Sequence, residues 1–182
     1  MAPGALDLVV GRYDYGQAVL TVEREGERLF AQLGTQKRFE IFPKSETNFF
    51  WKVVDARVEF VKGPDGKIIE AIHHQNGSTL HAARLEPLKV ASVDPATYDV
   101  LVGTYKTDNS DTVGNITREG DRLFGQVQGE GQPKLELLPK SETEFGVREL
   151  NAQVIFIKDS DGKVTRLKVI QPNATTEASR IK

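Results

Sequence analysis

Cysteine is absent from the 182-residue chain. Its absence excludes disulfides, a thiol nucleophile and a thiolate metal site, and leaves the redox compartment unreadable. Charge of one sign is also lacking: 24 basic against 26 acidic side chains give a net −2, with no run of like charge. Nucleic acid is not expected as a partner, because a phosphate backbone needs a concentrated basic surface. Long apolar runs are missing, and none approaches the ~20 residues of a membrane-spanning helix. Met1-Ala2-Pro3-Gly4 has neither a basic region nor an apolar core, so no signal peptide is expected in the chain as given. No Gly-x-Ser-x-Gly elbow, His-Glu-x-x-His pair or glycine-rich phosphate loop occurs, and no cofactor is expected. What remains, at 38% hydrophobic residues, is the composition of a globular protein.

Internal repetition organises the chain. Residues 43–75 laid over 139–171 without a gap give 14 identities in 33 positions. They include Lys44-Ser45-Glu46-Thr47 over Lys140-Ser141-Glu142-Thr143, Phe49 over Phe145, Phe60 over Phe156, and Asp65-Gly66-Lys67 over Asp161-Gly162-Lys163. Upstream, Gly11-x-Tyr13 matches Gly103-x-Tyr105, and Arg24-Glu25-Gly26-x-Arg28-Leu29-Phe30 matches Arg118-Glu119-Gly120-x-Arg122-Leu123-Phe124. The offset grows from 92 to 94 to 96 through two extra pairs of residues, near 106–111 and 128–133, in polar glycine-bearing stretches that suit loops. A tandem duplication follows, with a first repeat at 1–86, a linker and helical turn at 87–97, and a second repeat at 98–182.

Each repeat reads as short strands between turns, near 8–14, 17–24, 28–33, 37–42, 47–53, 56–62, 67–75 and 78–84 in the first. Alternation is clearest in Ala56-Arg57-Val58-Glu59-Phe60, and its partner Ala152-Gln153-Val154-Ile155-Phe156 keeps the same apolar positions. Glu25-Gly26, Pro64-Asp65-Gly66 and Asn76-Gly77 supply turns, the last a two-residue hairpin signal. Asp94-Pro95 carries the cap-then-proline signature of a helical turn ahead of the first strand of the repeat. Eight antiparallel strands in chain order favour closure, which removes exposed edges. The expected fold is all-β: two similar eight-stranded antiparallel up-and-down, lipocalin-like barrels in tandem.

Comparing the repeats also assigns faces. A two-residue Asn76-Gly77 turn pairs Gln75 with Ser78, His74 with Thr79, His73 with Leu80 and Ile72 with His81. The apolar face of the second repeat, carrying Leu167, Val169, Ala174 and Ala178, transfers to Ala71, His73, Gln75, Leu80, Ala82 and Arg84. His74 and His81 then point outward on neighbouring strands. Phe49 and Trp51 point inward, since Phe50 and Lys52 correspond to Gly146 and Arg148.

Gly-x-Tyr, the basic-Glu-Gly turn with Leu-Phe, Pro-x-Ser-Glu-Thr-x-Phe, Val-x-Phe, Asp-Gly-Lys and Gln-Asn-Gly together resemble a small bacterial family. These are the lipocalin-like β-barrel domains of unknown function that follow the catalytic domain of class C β-lactamase-like serine hydrolases. The resemblance covers 8–86 and again 98–182. It implies an accessory or ligand-binding barrel, a serine hydrolase catalytic domain as partner, and a periplasmic or secreted bacterial setting. The family has no agreed catalytic residues to carry over. The second copy departs by reading Gln171-Pro172-Asn173 where the first has Gln75-Asn76-Gly77.

Apparent catalytic motifs have plainer readings. Ser160-x-x-Lys163 satisfies a Ser-x-x-Lys pattern that needs a helix, whereas these residues make a hairpin turn. Asp159-Ser160-Asp161-Gly162 opens like a calcium loop but lacks the later ligands. The three histidines all lie in the first repeat. His73 and His81 are the candidate catalytic residues, and His74 with His81 the candidate metal pair. Their replacement by Val169, Ile170 and Glu177 in the sister copy shows that the barrel does not need them.

The inner polar residues carry the main expectation. Gln75/Gln171 and Arg84/Arg180 recur on a face that should be apolar, and a buried guanidinium must be paired. Glu40/Glu136 and Glu46/Glu142 are the expected partners. In one reading Tyr13, Phe49, Trp51, His73, Gln75 and Arg84 line a cavity for a small apolar or carboxylate- or amide-bearing ligand. In the other, an Arg-Glu-Gln set plugs one barrel end, which eight strands favour because their interior only just accommodates side chains. Three functions stay open: a non-catalytic accessory or ligand-binding module, a hydrolase of small esters or lactones, and a structural domain of a larger envelope hydrolase.

Overall fold

Strict alternation decides which residues enter the core. In Ala56–Lys62, Ala56, Val58 and Phe60 are buried while Arg57 and Glu59 are exposed, as a pleated strand with one apolar face requires. The computed structural model describes residues 4–182 and contains little besides such strands. The first set is β1 (Gly11–Asp14), β2 (Val19–Glu25), β3 (Arg28–Leu33), β4 (Phe39–Pro43), β5 (Asn48–Trp51), β6 (Ala56–Lys62), β7 (Ile68–Gln75) and β8 (Ser78–Leu85). The second is β9 (Gly103–Thr107), β10 (Val113–Glu119), β11 (Arg122–Val127), β12 (Leu135–Pro139), β13 (Glu144–Val147), β14 (Ala152–Lys158), β15 (Val164–Gln171) and β16 (Ala174–Arg180). A short 3-10 turn precedes each set, at Ala5–Leu8 and Pro95–Val100. The Asp94 side chain caps the second by accepting from the Ala96 amide at 2.9 Å, with Pro95 at its first position.

Within each set every strand pairs antiparallel with the next, and both sets close into eight-stranded barrels. Closure sets Tyr13 opposite Arg84 in the first barrel and Tyr105 opposite Arg180 in the second. The chain parts into two compact units between Pro87 and Leu88. Of the residues read as a linker, 88–97 fall within the second unit, where the Ala91 amide donates to the Pro139 carbonyl at 2.8 Å. A Cβ added to Gly146 would stand 2.8 Å from Leu88 Cδ2, so this outward glycine admits the leucine that covers it.

The turns follow their local chemistry. Asn76 (φ 50°) and Gly77 (φ 76°) are both left-handed, which suits the two-residue hairpin of twisted strands. Pro172-Asn173 spans the same gap, closed by the Gln171–Ala174 pair, without a left-handed residue. The extra residues of the second copy fall at the β9–β10 and β11–β12 connections.

Each core stacks aromatic rings in the same order. Phe60 lies 5.1 Å from Tyr13 and 5.7 Å from Phe49, and Phe156 lies 6.0 Å from Tyr105 and 5.7 Å from Phe145. Leu80 is a correction to the expected inner face: it has inward parity opposite His73 but is 57% exposed. It stands at the rim, where strand ends overhang the packed layers. Among the described residues, no helix is long and apolar enough to cross a membrane.

Candidate functional site

The Gly-x-Tyr motif becomes intelligible at one end of each barrel. Arg84 runs along β1 and donates from Nη1 to the carbonyls of Leu8 (3.0 Å) and Ile68 (3.3 Å), and from Nη2 to that of Val10 (2.6 Å). A Cβ on Gly11 would stand 3.1 Å from Arg84 Nε, so glycine makes room for the guanidinium. The Tyr13 ring lies 5.9 Å from the guanidinium carbon, and its hydroxyl donates to the Val9 carbonyl at 2.8 Å. Burial raises the Tyr13 pKa despite the nearby arginine. The second barrel repeats the device. Arg180 reaches Val100 (3.0 Å), Val164 (3.3 Å) and Val102 (2.5 Å), and Tyr105 reaches the Leu101 carbonyl at 2.8 Å.

This arrangement corrects the expected Arg-Glu-Gln plug. Glu40 forms a forked pair with Arg28 (2.6 and 2.9 Å) on the outside, and Glu46 pairs with Lys62 at 2.9 Å. Backbone carbonyls, freed where the 3-10 turn meets the first strand and at the start of β7, take the guanidinium instead. Gln75 is seven residues along β7 from Ile68, about 23 Å of extended chain. Arg84 and Gln75 thus belong to opposite ends of the barrel.

The six inward candidates divide accordingly. Tyr13 and Arg84 hold the carbonyl-bound end, Phe49 lies in the middle layer, and Trp51, His73 and Gln75 gather at the other end. There the His73 ring lies 5.1 Å from Trp51 at 31° and 6.1 Å from Tyr15 at 87°. Burial lowers the His73 pKa, opposed by the hydrogen bond that the imidazole donates to the Gln75 side chain, so the imidazole is held toward its neutral form. Trp51 is 8% exposed. Tyr15 was not singled out by the sequence reading, which ended its strand at residue 14. Its signal was replacement by Thr107 in the sister copy. The Tyr15 hydroxyl is buried and bonds no described residue, and its pKa is raised by burial and by the proximity of Tyr13 and Glu70.

The outward histidines separate. His74 Nδ1 lies 3.1 Å from Thr79 Oγ1, and His81 Nδ1 lies 2.7 Å from Glu70 Oε1. Each imidazole is engaged by a different neighbour, and among the described residues no group of three or more His, Asp or Glu side chains is placed to hold a metal ion. His74 borders a shallow groove of about 1190 Å³ over β5–β8, which also reaches Trp51 and Gln75 at the rim. The Ser160-x-x-Lys163 segment is a hairpin turn: Asp159 Oδ1 accepts from the Asp161 and Lys163 amides at 3.0 and 2.9 Å.

Fold and site together define a class: paired closed meander barrels, each locked at one end by an arginine on carbonyls. Residues 3–86 and 88–181 each match the family described as Domain of unknown function (DUF3471), and the chain belongs to that family through both repeats. Penicillin-binding protein 4* of Bacillus subtilis (strain 168) is 37% identical over 73 residues, covering 40% of this chain and 16% of that protein. The match therefore concerns a small part of a longer relative. The DNA polymerase III subunit beta from Pseudomonas aeruginosa overlaps 98% of this chain and 62% of its own at 10% identity and a TM-score of 0.16, which carries no structural argument.

Proposed function

We propose that the chain is a non-catalytic accessory module whose first barrel binds a small molecule, acting beside a serine hydrolase catalytic domain. The observation that carries the reading is the end of the first barrel occupied by Trp51, His73 and Tyr15. Val147, Val169 and Thr107 stand at these positions in the second barrel, which closes without them. An aromatic and hydrogen-bonding cluster that the fold does not need is the usual make-up of a recognition site. The association with a hydrolase rests on the family resemblance and on the partial match to a protein named for penicillin binding.

The test is thermal stabilisation of the full chain by a panel of small molecules, run in parallel on a Trp51→Val/His73→Val variant. Stabilising compounds that lose their effect in the variant are expected. Stabilisation that persists in the variant, or none in the wild type, would remove this end of the barrel as a binding site. The same samples assayed with chromogenic esters and lactones are expected to show no turnover that depends on His73.

A further inference from the structure

We infer that the Tyr15 hydroxyl anchors the ligand of the first barrel, and that this ligand is a small neutral molecule presenting an amide or ketone carbonyl on a flat body. The inference rests on the reading that this barrel binds a small molecule, and names the anchor and the ligand class.

The argument begins with a hydrogen bond that is not made. Tyr15 carries a buried hydroxyl with no partner among the described residues. Two residues earlier, Tyr13 satisfies its own hydroxyl on the Val9 carbonyl at 2.8 Å. In the second barrel the matching Thr107 hydroxyl donates to the Thr112 carbonyl at 2.7 Å. The orphan therefore belongs to the first barrel and not to the shared scaffold. A buried donor without an acceptor destabilises the folded state, and phenylalanine would fill the same space without that penalty.

The surroundings specify what would complete the bond. The acceptor must come from the ligand, and its body must lie against the outer side of the Trp51–His73 stack, whose rings are 5.1 Å apart and 31° from parallel and so suit a planar group. Trp51 and Gln75 also line the groove over β5–β8, which borders this end of the barrel. Charge decides against an anion. Arg84 is committed to three carbonyls at the opposite end of the barrel. His73 is held toward neutrality by burial, and burial with the neighbouring Tyr13 and Glu70 keeps the Tyr15 phenol protonated. A carboxylate brought there would be desolvated without a cation to meet it.

Trp51 is the single tryptophan of the chain, so its fluorescence reports on this end of the barrel without a label. Benzamide and benzoate are the probes, equal in shape and different in charge, titrated into the full chain and into Tyr15→Phe. Saturable quenching by benzamide is expected in the wild type, weakened about tenfold in Tyr15→Phe, as the loss of one buried hydrogen bond implies. Benzoate should bind at least about tenfold more weakly than benzamide. Without ligand, Tyr15→Phe should melt higher than the wild type. Equal benzamide binding by Tyr15→Phe, tighter binding of benzoate, or a lower melting temperature for ligand-free Tyr15→Phe would each overturn the anchor while leaving ligand binding itself standing. No saturable response to either probe in the wild type would overturn both.

Discussion

Arg84 and Arg180 meet the same three carbonyl positions in the two barrels, over a glycine and beside a tyrosine whose hydroxyl returns to the backbone. At the other ends the likeness stops. Tyr15, Trp51, His73 and Leu80 of the first barrel correspond to Thr107, Val147, Val169 and Thr176 of the second. The shared end is scaffold, because each barrel needs an acceptor set for its arginine and a donor set for the carbonyls left at the strand starts. The divergent end is free of that demand, since one barrel closes there with aliphatic and small polar residues. Side-chain chemistry can vary at one end of this fold without disturbing what locks the other.

The largest effect is expected from the arginines. Arg84→Met and Arg180→Met should each destabilise their own barrel by about 3 kcal/mol or more, because three carbonyls lose a charged donor together. Unequal falls in melting temperature would break the equivalence of the two ends. Next come the glycines that admit the guanidinium. A Cβ at Gly103 would stand 2.6 Å from the Lys182 carbonyl oxygen and 2.8 Å from Arg180 Nε, against a nearest contact of 3.1 Å at Gly11. Gly103→Ala should therefore cost about 2–3 kcal/mol, and Gly11→Ala a similar amount, because its milder clash adds to a φ of 156° that L residues rarely adopt, as read by denaturant midpoints.

Tyrosine ionisation acts on both barrels, through Tyr98 and Tyr105 in the second as well as Tyr13 in the first, and Tyr15 adds to it in the first alone. Burial raises the Tyr13 and Tyr15 pKa values well above the ordinary 10.0, so above that pH the unfolded chain releases protons that the native state keeps. Stability is then fully present below pH 10.0 and lost as pH rises beyond it. Tyr15→Phe should flatten this alkaline fall, measured as melting temperature against pH, and an unchanged slope would count against Tyr15 as a buried phenol. The smallest effect belongs to the outer ion pairs. Glu40 and Glu136 are held below the ordinary 4.5 by hydrogen bonds from Arg28 and Arg122. Glu40→Gln and Glu136→Gln should give slight, matching losses of stability at neutral pH that vanish as the pH falls through the carboxylate range.

Local chemistry made much of this legible before any coordinates. Comparison of the repeats determines which face His73, Trp51 and Phe49 present, the Asn76-Gly77 turn determines the pairing of the last hairpin, and the structure carries that pairing of Ile72 with His81 and His73 with Leu80. Repetition of the Gly-x-Tyr, Arg-Glu-Gly and Ser-Glu-Thr segments marks the duplication and, with eight turn-bounded runs, the closed barrels.

Tertiary structure alone decided where along the cylinder each inward residue stands. Side-chain parity records inside or outside and is silent about height, so Arg84 and Gln75, alike in parity, fall at opposite ends. Closure brings Arg84 to the Leu8 carbonyl across 76 residues of sequence, and backbone acceptors carry no residue signature that could have disclosed them beforehand. The solitary Tyr15 hydroxyl is hidden for the same reason. A missing bond is a property of everything packed around a group, and no sequence window contains those neighbours.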